Sequence, residues 1–314
     1  MLTLYVVVPC YNEEQVLPET SMRLKEKLNI LQLNNTISDS SRILLVDDCS
    51  TDNTWNIINS LVDNNTIFQG LKLAKNRGHQ YALLAGLLTA KDFCDITISM
   101  DADLQDDINA IDSFINKFNE GCDIVYGIRN AREEDSFFKK YTALAFYKLM
   151  KILGVEIVYN HADYRLMSKK AVCALEQFTE VNVFLRGMIP LLGYKSGFIY
   201  YERLKRFAGE SKYPLRKMLA FAFEGISSLS IKPIRFITIT GFFIFTSSIL
   251  ELISLFFVYL SGKAVTGWST ITMSIWILGG FQILAIGVIG EYIGKIYLET
   301  KHRPKYIIEQ YLKK

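Results

Sequence analysis

The chain has 314 residues, of which 50% are hydrophobic, 13% aromatic and 21% charged, and its formal net charge is +3. This composition excludes an intrinsically disordered chain, which would be poor in apolar residues and rich in charge. Five cysteines in a chain of this length also exclude a small disulfide scaffold. The mean hydropathy of +0.18 favours a protein with a soluble part and a membrane part.

The first part of the chain alternates short apolar runs with helical stretches, which predicts an α/β domain with a mostly parallel sheet and flanking helices. Continuous β-branched runs are typical of strands that are buried on both faces. The predicted strands are Leu4–Val8, Ile43–Val46, Ile67–Leu73, Ile96–Met100 and Asp123–Tyr126. The predicted helices are about Glu13–Leu31, Asn53–Val62, Gln80–Ala90 and Ile108–Phe118.

A polar cluster follows each of the first four predicted strands. These clusters are Pro9–Glu14, Asp47–Thr54, Asn76–Gln80 and Asp101–Asp106. One such cluster would indicate only a helix N-cap. Ligands of parallel sheets bind outside the carboxyl ends of the strands. Four clusters at successive strand ends therefore predict one functional site along that edge of the sheet.

Asp101 and Asp103 form a D-x-D pair directly after a buried strand. Hard divalent cations such as Mg²⁺ and Mn²⁺ prefer carboxylate oxygens and substrate phosphates. Two crowded carboxylates without a cation would repel each other. Gln105 adds a candidate amide oxygen. The same residues are typical of an Asx turn that caps the helix near Ile108, so both interpretations stay open.

Asp47 and Asp48 form a second acidic pair, after the second predicted strand. In nucleotide-binding sheets, acidic residues at this point commonly hold ribose hydroxyls or a base edge. Tyr11 is a candidate to stack on a base, and Glu13 to accept a hydrogen bond from it. The sequence has neither a G-x-G-x-x-G nor a G-x-x-x-x-G-K-[ST] phosphate loop, and a metal clamp on a diphosphate would explain that. The alternative, in which Ser50 and Asp52 of this segment cap the next helix, stays open.

The carboxy-terminal part carries two long apolar stretches. Phe236–Tyr259 has one charged residue, Glu251, and Ile271–Gly290 has none. A bilayer core needs about 20 apolar residues of helix. The sequence therefore predicts a two-helix transmembrane hairpin, with helices at about 234–260 and 270–294. The alternative is a pair of buried core helices.

Basic residues flank the predicted hairpin on both sides, whereas the connecting segment Ser261–Ser269 has only Lys263. Because basic flanks stay in the cytoplasm, we expect a multi-pass protein of the inner or plasma membrane with the α/β domain and both termini inside. Met1–Pro9 lacks the basic leader of a signal peptide. The predicted domains are a cytoplasmic domain at 1–205, a juxtamembrane amphipathic segment at 206–232, the hairpin at 233–297 and a cytoplasmic tail at 298–314.

The motifs, taken in order, resemble those of family 2 inverting glycosyltransferases with the GT-A, Rossmann-like fold. Within that family the chain is similar to the polyprenyl-phosphate glycosyltransferases, such as bactoprenol glucosyltransferase and dolichol-phosphate mannose synthase. The likeness covers nearly the whole chain. Further motifs that carry it are Asp163–Ser168, Arg206–Tyr213, Gly290–Gly294 and Arg303–Pro304. The family usually has glycine where Cys49 stands, so we expect a differently shaped turn there.

The resemblance implies a role for each matching residue, and the candidate catalytic residues are Asp101, Asp103 and Asp163. Asp163 would be a general base or a group that orients the acceptor. The implied nucleotide-sugar ligands, with Asp47 added from its position, are Pro9, Tyr11, Glu13, Asp47, Asp48, Asp101 and Ala102. The implied metal ligands are Asp101, Asp103 and Gln105. The implied acceptor-phosphate ligands are Arg129, Arg132, Arg206, Ser211 and Lys212. The alternative for these arginines is contact with anionic lipid headgroups.

The predicted activity is the inverting transfer of a hexose from a nucleotide diphosphate sugar to undecaprenyl or another polyprenyl phosphate at the inner leaflet. UDP-glucose is the favoured donor and UDP-N-acetylglucosamine the second, with Mg²⁺ or Mn²⁺ as cofactor. The product would be a lipid-linked sugar donor for cell-envelope glycosylation. Gly290 and Gly294 form a small-xxx-small pair, and we expect a homo-oligomer, with a tetramer as one candidate, and no nucleic-acid partner. The alternatives are a processive polysaccharide synthase and a non-catalytic nucleotide-sugar-binding scaffold.

Overall fold

The computed structural model describes residues 1–129, 161–202, 234–244, 246–247, 250 and 267–314. The described residues belong to two compact units. The larger unit contains 1–129, 161–202 and Arg303–Lys314, and the smaller contains the described part of Leu215–His302.

The strands of the larger unit join in a single sheet. They are β1 (Leu4–Cys10), β2 (Arg42–Asp47), β3 (Phe68–Leu73), β4 (Ile96–Ser99), β5 (Ile124–Arg129), β6 (His161–Ser168), β7 (Ser196–Tyr201) and β8 (Ile308–Leu312). The helices of both units, in chain order, are α1 (Leu17–Leu33), α2 (Thr54–Asn64), α3 (His79–Ala90), α4 (Ala110–Asn119), α5 (Lys169–Glu176), α6 (Leu185–Leu191), α7 (Ile234–Ile244) and α8 (Trp268–Thr300).

The strand order is β7-β5-β6-β4-β1-β2-β3-β8. β6 runs antiparallel to both of its neighbours, β8 runs antiparallel to β3, and the other neighbouring pairs are parallel. The predicted GT-A-like α/β fold with a mostly parallel sheet is therefore confirmed. The chain moves outward from β1 through β2 to β3, and then returns to the other side of β1 with β4. This reversal is the type of switch point at which α/β sheets bind ligands.

The core lies on both faces of this sheet. On β1, Val6 and Val8 face the cluster that contains residues of α1, α2 and α4, whereas Val7 faces the cluster of α3, α5 and α6. Alternate side chains of a strand point to opposite faces, so a continuous apolar run serves both layers. Gly86 of α3 allows the helix to approach the sheet closely, since a Cβ there would lie 2.4 Å from Val7 Cγ1.

The ends of several elements differ from the predictions. α1 begins at Leu17 rather than near Glu13, because the backbone carbonyl of Glu13 accepts hydrogen bonds from Val16 and Leu17 in a separate turn. Three further strands were not predicted. β6 lies between β4 and β5, and β7 forms the edge of the sheet beyond β5. β8 lies in the segment that was predicted to be only a cytoplasmic tail.

The smaller unit contains α7 and α8 among its described residues. α8 covers the second predicted span and continues to Thr300, and its part Leu278–Thr300 is long and apolar enough to cross a membrane. α7 is shorter and lies within the first predicted span, most of whose remaining residues are outside the described ranges. The described residues thus contain one candidate span, and they do not support the predicted hairpin or a multi-pass topology. The predicted amphipathic segment at 206–232 lies outside them.

Candidate active site

The loops that follow β1 and β2 are joined by hydrogen bonds in both directions. The amide of Asn12 donates to Ser50 Oγ at 3.0 Å, and the amide of Thr51 donates to Asn12 Oδ1 at 2.9 Å. The amide of Glu13 donates to Thr54 Oγ1 at 2.9 Å. Two of the predicted polar clusters therefore form one cross-linked surface.

Three of the predicted nucleoside ligands differ strongly in accessibility. Tyr11 is 43% exposed beside the cross-linked loops, whereas Pro9 is buried in β1. Asp47 is buried, and its carboxylate accepts a hydrogen bond from the amide of Ser50 at 3.2 Å. Burial raises the pKa of Asp47. Of the three, Tyr11 has the open surface that base stacking requires.

Cys49 occupies the turn between Asp47 and Ser50 with a φ of +58°. This is the left-handed region, which glycine enters at little cost. The turn thus keeps a conformation suited to glycine, and the expectation of a different shape at Cys49 finds no support in its backbone.

Asp48 is buried and holds the loop that precedes α3. Its two oxygens accept hydrogen bonds from the amides of Arg77 at 2.8 Å and Gly78 at 2.7 Å. Burial raises the pKa of Asp48, although these hydrogen bonds oppose the rise. Gly78 has a φ of +91° and directly precedes His79, the first residue of α3. Asp48 therefore fixes where α3 begins, a contribution separate from the nucleoside binding predicted for it.

The register between β4 and β6 brings the D-x-D turn and Asp163 to the same edge of the sheet. Ser99, at the end of β4, pairs with Arg165 on the antiparallel strand β6. Asp163 lies two residues before Arg165, and Asp101 lies two residues after Ser99. The Ser99 hydroxyl also donates to the carbonyl oxygen of Asp163 at 2.5 Å. Two acidic residues far apart in sequence thus lie at neighbouring strand ends.

The D-x-D turn itself is anchored through its backbone. The carbonyl oxygen of Ala102 accepts a hydrogen bond from Thr20 Oγ1 at 2.7 Å, and Ala102 is buried. Asp103 Oδ1 accepts from the amide of Gln105 at 3.1 Å, and Leu104 has a φ of +57°. Asp103 therefore forms an Asx turn, but this turn does not cap the next helix, because α4 begins at Ala110 after Asn109 and has no side-chain cap hydrogen bond. The turn does not exclude a ligand role for the carboxylate of Asp103.

Asp101 is the acidic residue whose surroundings suit a cation. Burial raises the pKa of Asp101 to about 6; His79 opposes the rise, and the carboxylates of Asp106, Asp163 and Asp103 add to it. Crowded carboxylate oxygens of this kind fit a hard divalent cation. Within the described residues, no group of three or more His, Cys, Asp or Glu side chains is placed to hold a metal by itself, so substrate oxygens would have to complete the set.

Asp163 is the centre of a cluster of cationic and amide side chains. Arg186 donates hydrogen bonds to both carboxylate oxygens, from Nε to Oδ1 at 3.2 Å and from Nη2 to Oδ2 at 3.0 Å. Arg165 also donates to Oδ1, Gln80 Nε2 donates to Oδ2 at 3.4 Å, and His79 Nε2 lies 3.3 Å from Oδ2. Burial would raise the pKa of Asp163, but Arg186, His79 and Arg165 outweigh it and hold the pKa well below its usual value.

Sequence reasoning missed most of the partners of Asp163. No role for His79 was predicted from the sequence, whereas its Nε2 lies between Asp163 and Asp101, 3.6 Å from Oδ1 of the latter. Arg186 was never singled out. Its one sequence signal is that it is the only charged residue between Val181 and Tyr194.

Arg129 is the one predicted acceptor-phosphate ligand within the described residues. Its Nη2 donates to Asp106 Oδ1 at 3.0 Å, and its Nε donates to Tyr201 Oη at 3.2 Å. Tyr201 Oη itself donates to Asp106 Oδ1 at 2.5 Å. Nη2 of Arg129 also lies 3.9 Å from Asp101 Oδ2, so the guanidinium is fixed beside the D-x-D turn. The other predicted ligands, Arg132, Arg206, Ser211 and Lys212, lie outside the described residues.

The chain is similar to known proteins over most of its length. The family model described as "Glycosyl transferase family 2" matches residues 5–175. "Uncharacterized glycosyltransferase YkoT" of Bacillus subtilis (strain 168) is 52% identical over 98% of this chain and 91% of its own length. "Bactoprenol glucosyl transferase" of Shigella phage SfV is 37% identical, with 97% of each chain covered. Among solved structures, mannosyl-3-phosphoglycerate synthase from Rubrobacter xylanophilus is 16% identical, with a TM-score of 0.46 and 72% and 73% of the two chains covered.

The sheet with its D-x-D turn has the form of a GT-A-like glycosyltransferase domain. The chain belongs to glycosyltransferase family 2. The predicted enzyme class is thereby confirmed.

Proposed function

We propose that the protein transfers a hexose from a nucleotide diphosphate sugar to a polyprenyl phosphate, with inversion at the anomeric carbon. UDP-glucose is the favoured donor and UDP-N-acetylglucosamine the second. The observation that carries this proposal is the 37% identity to bactoprenol glucosyl transferases, which extends over 97% of this chain and so includes its apolar carboxy-terminal part. The lipid-linked product would serve as a sugar donor for the cell envelope.

The proposed setting is the inner leaflet of the cell membrane, with the catalytic domain and both termini in the cytoplasm. α8 supplies one helix of sufficient length and apolarity. A second span at about 234–260 completes a multi-pass hairpin in this proposal, and basic flanks keep both ends inside. We also propose a homo-oligomer, because small-residue faces such as Gly290 and Gly294 favour close helix packing.

The donor would lie across the carboxyl ends of β1, β2 and β4. Tyr11 and Glu13, with the acidic pair Asp47 and Asp48 at the end of β2, would bind the nucleoside. Asp101 and Asp103, with Gln105, would hold Mg²⁺ or Mn²⁺. When bound, such an ion neutralises charge on the departing diphosphate.

The acceptor supplies its own nucleophile. A phosphate monoester with a second pKa of about 6 is mostly dianionic at neutral pH, so its attack needs no proton removal. Asp163 is also a poor base, since its cationic neighbours hold its pKa low. We therefore assign Asp163 to orienting those neighbours. Arg129 would meet the acceptor phosphate, together with Arg132, Arg206, Ser211 and Lys212.

The test is transfer by the purified full-length protein in detergent with undecaprenyl phosphate, a panel of UDP- and GDP-sugars, and Mg²⁺ or Mn²⁺. Mass analysis of the lipid should show addition of one hexose. Chelation, or the substitution Asp101→Asn, should remove the product. A polymeric product would favour a processive synthase, and binding of a nucleotide sugar without transfer would favour a scaffold; either result would overturn the proposal.

A further inference from the structure

We propose that Arg186 binds a phosphate oxygen of one of the two reactants, and that Asp163 orients it for this contact. The inference rests on the proposed function and adds to it a residue outside the recognised motifs. The ligand chemistry is a phosphoryl group, either the monoester of the lipid acceptor or the diphosphate of the donor.

Arg186 and Asp163 form a bidentate ion pair. Nε and Nη2 of Arg186 each reach a different oxygen of Asp163, at 3.2 Å and 3.0 Å. Such bidentate contacts fix the plane of a guanidinium, and the same group has further donors suited to phosphate oxygens. Arg186 is thereby presented in one orientation before any reactant binds.

Exposure distinguishes Arg186 from the second arginine on the same carboxylate. The side chain of Arg165 is 1% exposed, whereas that of Arg186 is 34% exposed. Arg165 therefore serves as the buried counterion of Asp163. Of Asp163, Arg165 and Arg186, only the last is exposed enough for a reactant to contact. The side chains of His79 and Asp101 are exposed to a similar degree.

Gln80 ties the helix that carries Arg186 to the same carboxylate. Its Oε1 accepts a hydrogen bond from the amide of Leu185 at 3.1 Å, and its Nε2 donates to Asp163 Oδ2 at 3.4 Å. Leu185 is the first residue of α6, and Arg186 is the second. One side chain of α3 therefore fixes both the start of α6 and the acid that α6 contacts.

The reaction needs cations at this point, because two anionic reactants must approach each other. Exposure weakens an ion pair, so the partly exposed side chain of Arg186 adds little to the stability of the fold through its contact with Asp163. Here the carboxylate of Asp163 is buried, whereas the guanidinium of Arg186 is partly exposed near the sheet edge that carries the D-x-D turn. This asymmetry is suited to presenting a cation to a ligand.

The experiment compares Arg186→Gln and Arg186→Lys with wild type, in detergent, with KM measured separately for the nucleotide sugar and for undecaprenyl phosphate. Loss of a charge-assisted hydrogen bond should raise one KM about tenfold or more in Arg186→Gln. Arg186→Lys should recover part of the loss, since it keeps the charge and loses the fork. A rise for the lipid identifies the acceptor phosphate, and a rise for the nucleotide sugar identifies the donor diphosphate. Arg23→Gln, on an exposed arginine paired with Glu19, is the matched control and should leave both constants unchanged.

The orienting role of Asp163 is tested by a double-mutant cycle. Asp163→Asn should raise the same KM, and the double variant with Arg186→Gln should be no worse than Arg186→Gln alone. Unchanged KM values for both reactants in Arg186→Gln, or fully multiplicative effects in the cycle, would overturn the inference. If wild type gave no lipid-linked hexose with any donor, the proposed function would fail instead, so the two failures are distinguishable.

Discussion

The hydroxyl of Ser99 donates a hydrogen bond to the backbone carbonyl of Asp163 at 2.5 Å. The same hydroxyl lies 3.3 Å from the carbonyl oxygen of Arg165. This contact joins the end of β4, from which the D-x-D turn begins, to the strand that carries Asp163. The distance between the D-x-D acids and the buried Asp163 therefore depends on a buried side chain with no chemistry of its own.

Replacing Ser99 with alanine should loosen this connection. The free energy of unfolding should fall by about 1 kcal/mol, the net value of a buried hydrogen bond, and kcat should fall several-fold as the two strand ends separate. Thermal unfolding and initial rates in detergent measure the two effects. Ser40→Ala, on the exposed loop before β2, is the control and should change neither. Wild-type stability and rate in Ser99→Ala would show that the backbone pairing alone sets the register.

Local patterns predicted the parts of the fold that depend on local sequence. β1, β2 and β4 were recognised because their runs are buried on both faces, and the polar clusters after them were recognised because they interrupt such runs. β6 was missed because its segment carries Asp163 and Arg165, whose charges are compensated by their contact with each other and by Arg186, which lies outside the strand. A sequence pattern cannot contain such compensation.

The candidate site likewise contains residues that the sequence predicted and residues that it did not. The D-x-D pair, the acidic pair after β2 and Asp163 were predicted from motifs. Arg186 was not, because it lies in an apolar segment with no motif and reaches the site only through the packing of α6 near α3. The hydrogen bonds that Asp48 accepts from the amides of Arg77 and Gly78 were also not predicted, since a motif does not indicate which oxygen accepts from which amide.

Asp163 should affect stability without titrating near neutral pH. Its pKa is lowered in the folded protein, so its contribution to stability is complete above the unfolded pKa of about 3.9 and is lost as the pH falls through the folded value. Asp163→Asn should lower the free energy of unfolding by about 3 kcal/mol, because it leaves Arg165 buried without its counterion. Burial lowers the pKa of His79, but Asp163 and Asp101 outweigh burial and raise it. The difference from wild type should therefore decrease as the pH rises through the pKa of His79, and it should also shrink below about pH 4.

Chemical unfolding of the full-length protein in detergent at several pH values measures this difference. Asp39→Asn, on the loop before β2, is the control and should match wild type throughout. In a His79→Gln background, which removes the titration of that imidazole, a difference that changed between about pH 6 and pH 8 would mean that Asp163 titrates there, as a general base would, and would contradict the orienting role.

Gly86 should not tolerate alanine. A Cβ at this position would lie 2.4 Å from Val7 Cγ1 and 2.7 Å from Val46 Cγ2, and both valines belong to the buried sheet. We expect Gly86→Ala to lower the free energy of unfolding by about 1–3 kcal/mol, as overpacking commonly does, even though alanine is the better helix former. Thr89→Ala, one turn later on α3, is the control for helix propensity. A stabilised Gly86→Ala would mean that α3 moves away from the sheet at little cost.

The last strand should matter to the catalytic domain although it follows the apolar helix α8 in the chain. β8 pairs with β3 from Gly70 to Leu73, and Tyr311 Oη donates to Gln69 Oε1 at 2.8 Å. Removing residues 307–314 would expose β3 as an unpaired edge, which invites association between copies. We expect the unfolding midpoint to fall by several degrees, since about 1 kcal/mol corresponds to 2–4 °C for a domain of this size, and aggregation to increase. Removal of Lys313 and Lys314 alone should have a smaller effect, because β8 ends at Leu312. Equal midpoints for wild type and the longer truncation would show that β3 is stable as an edge strand.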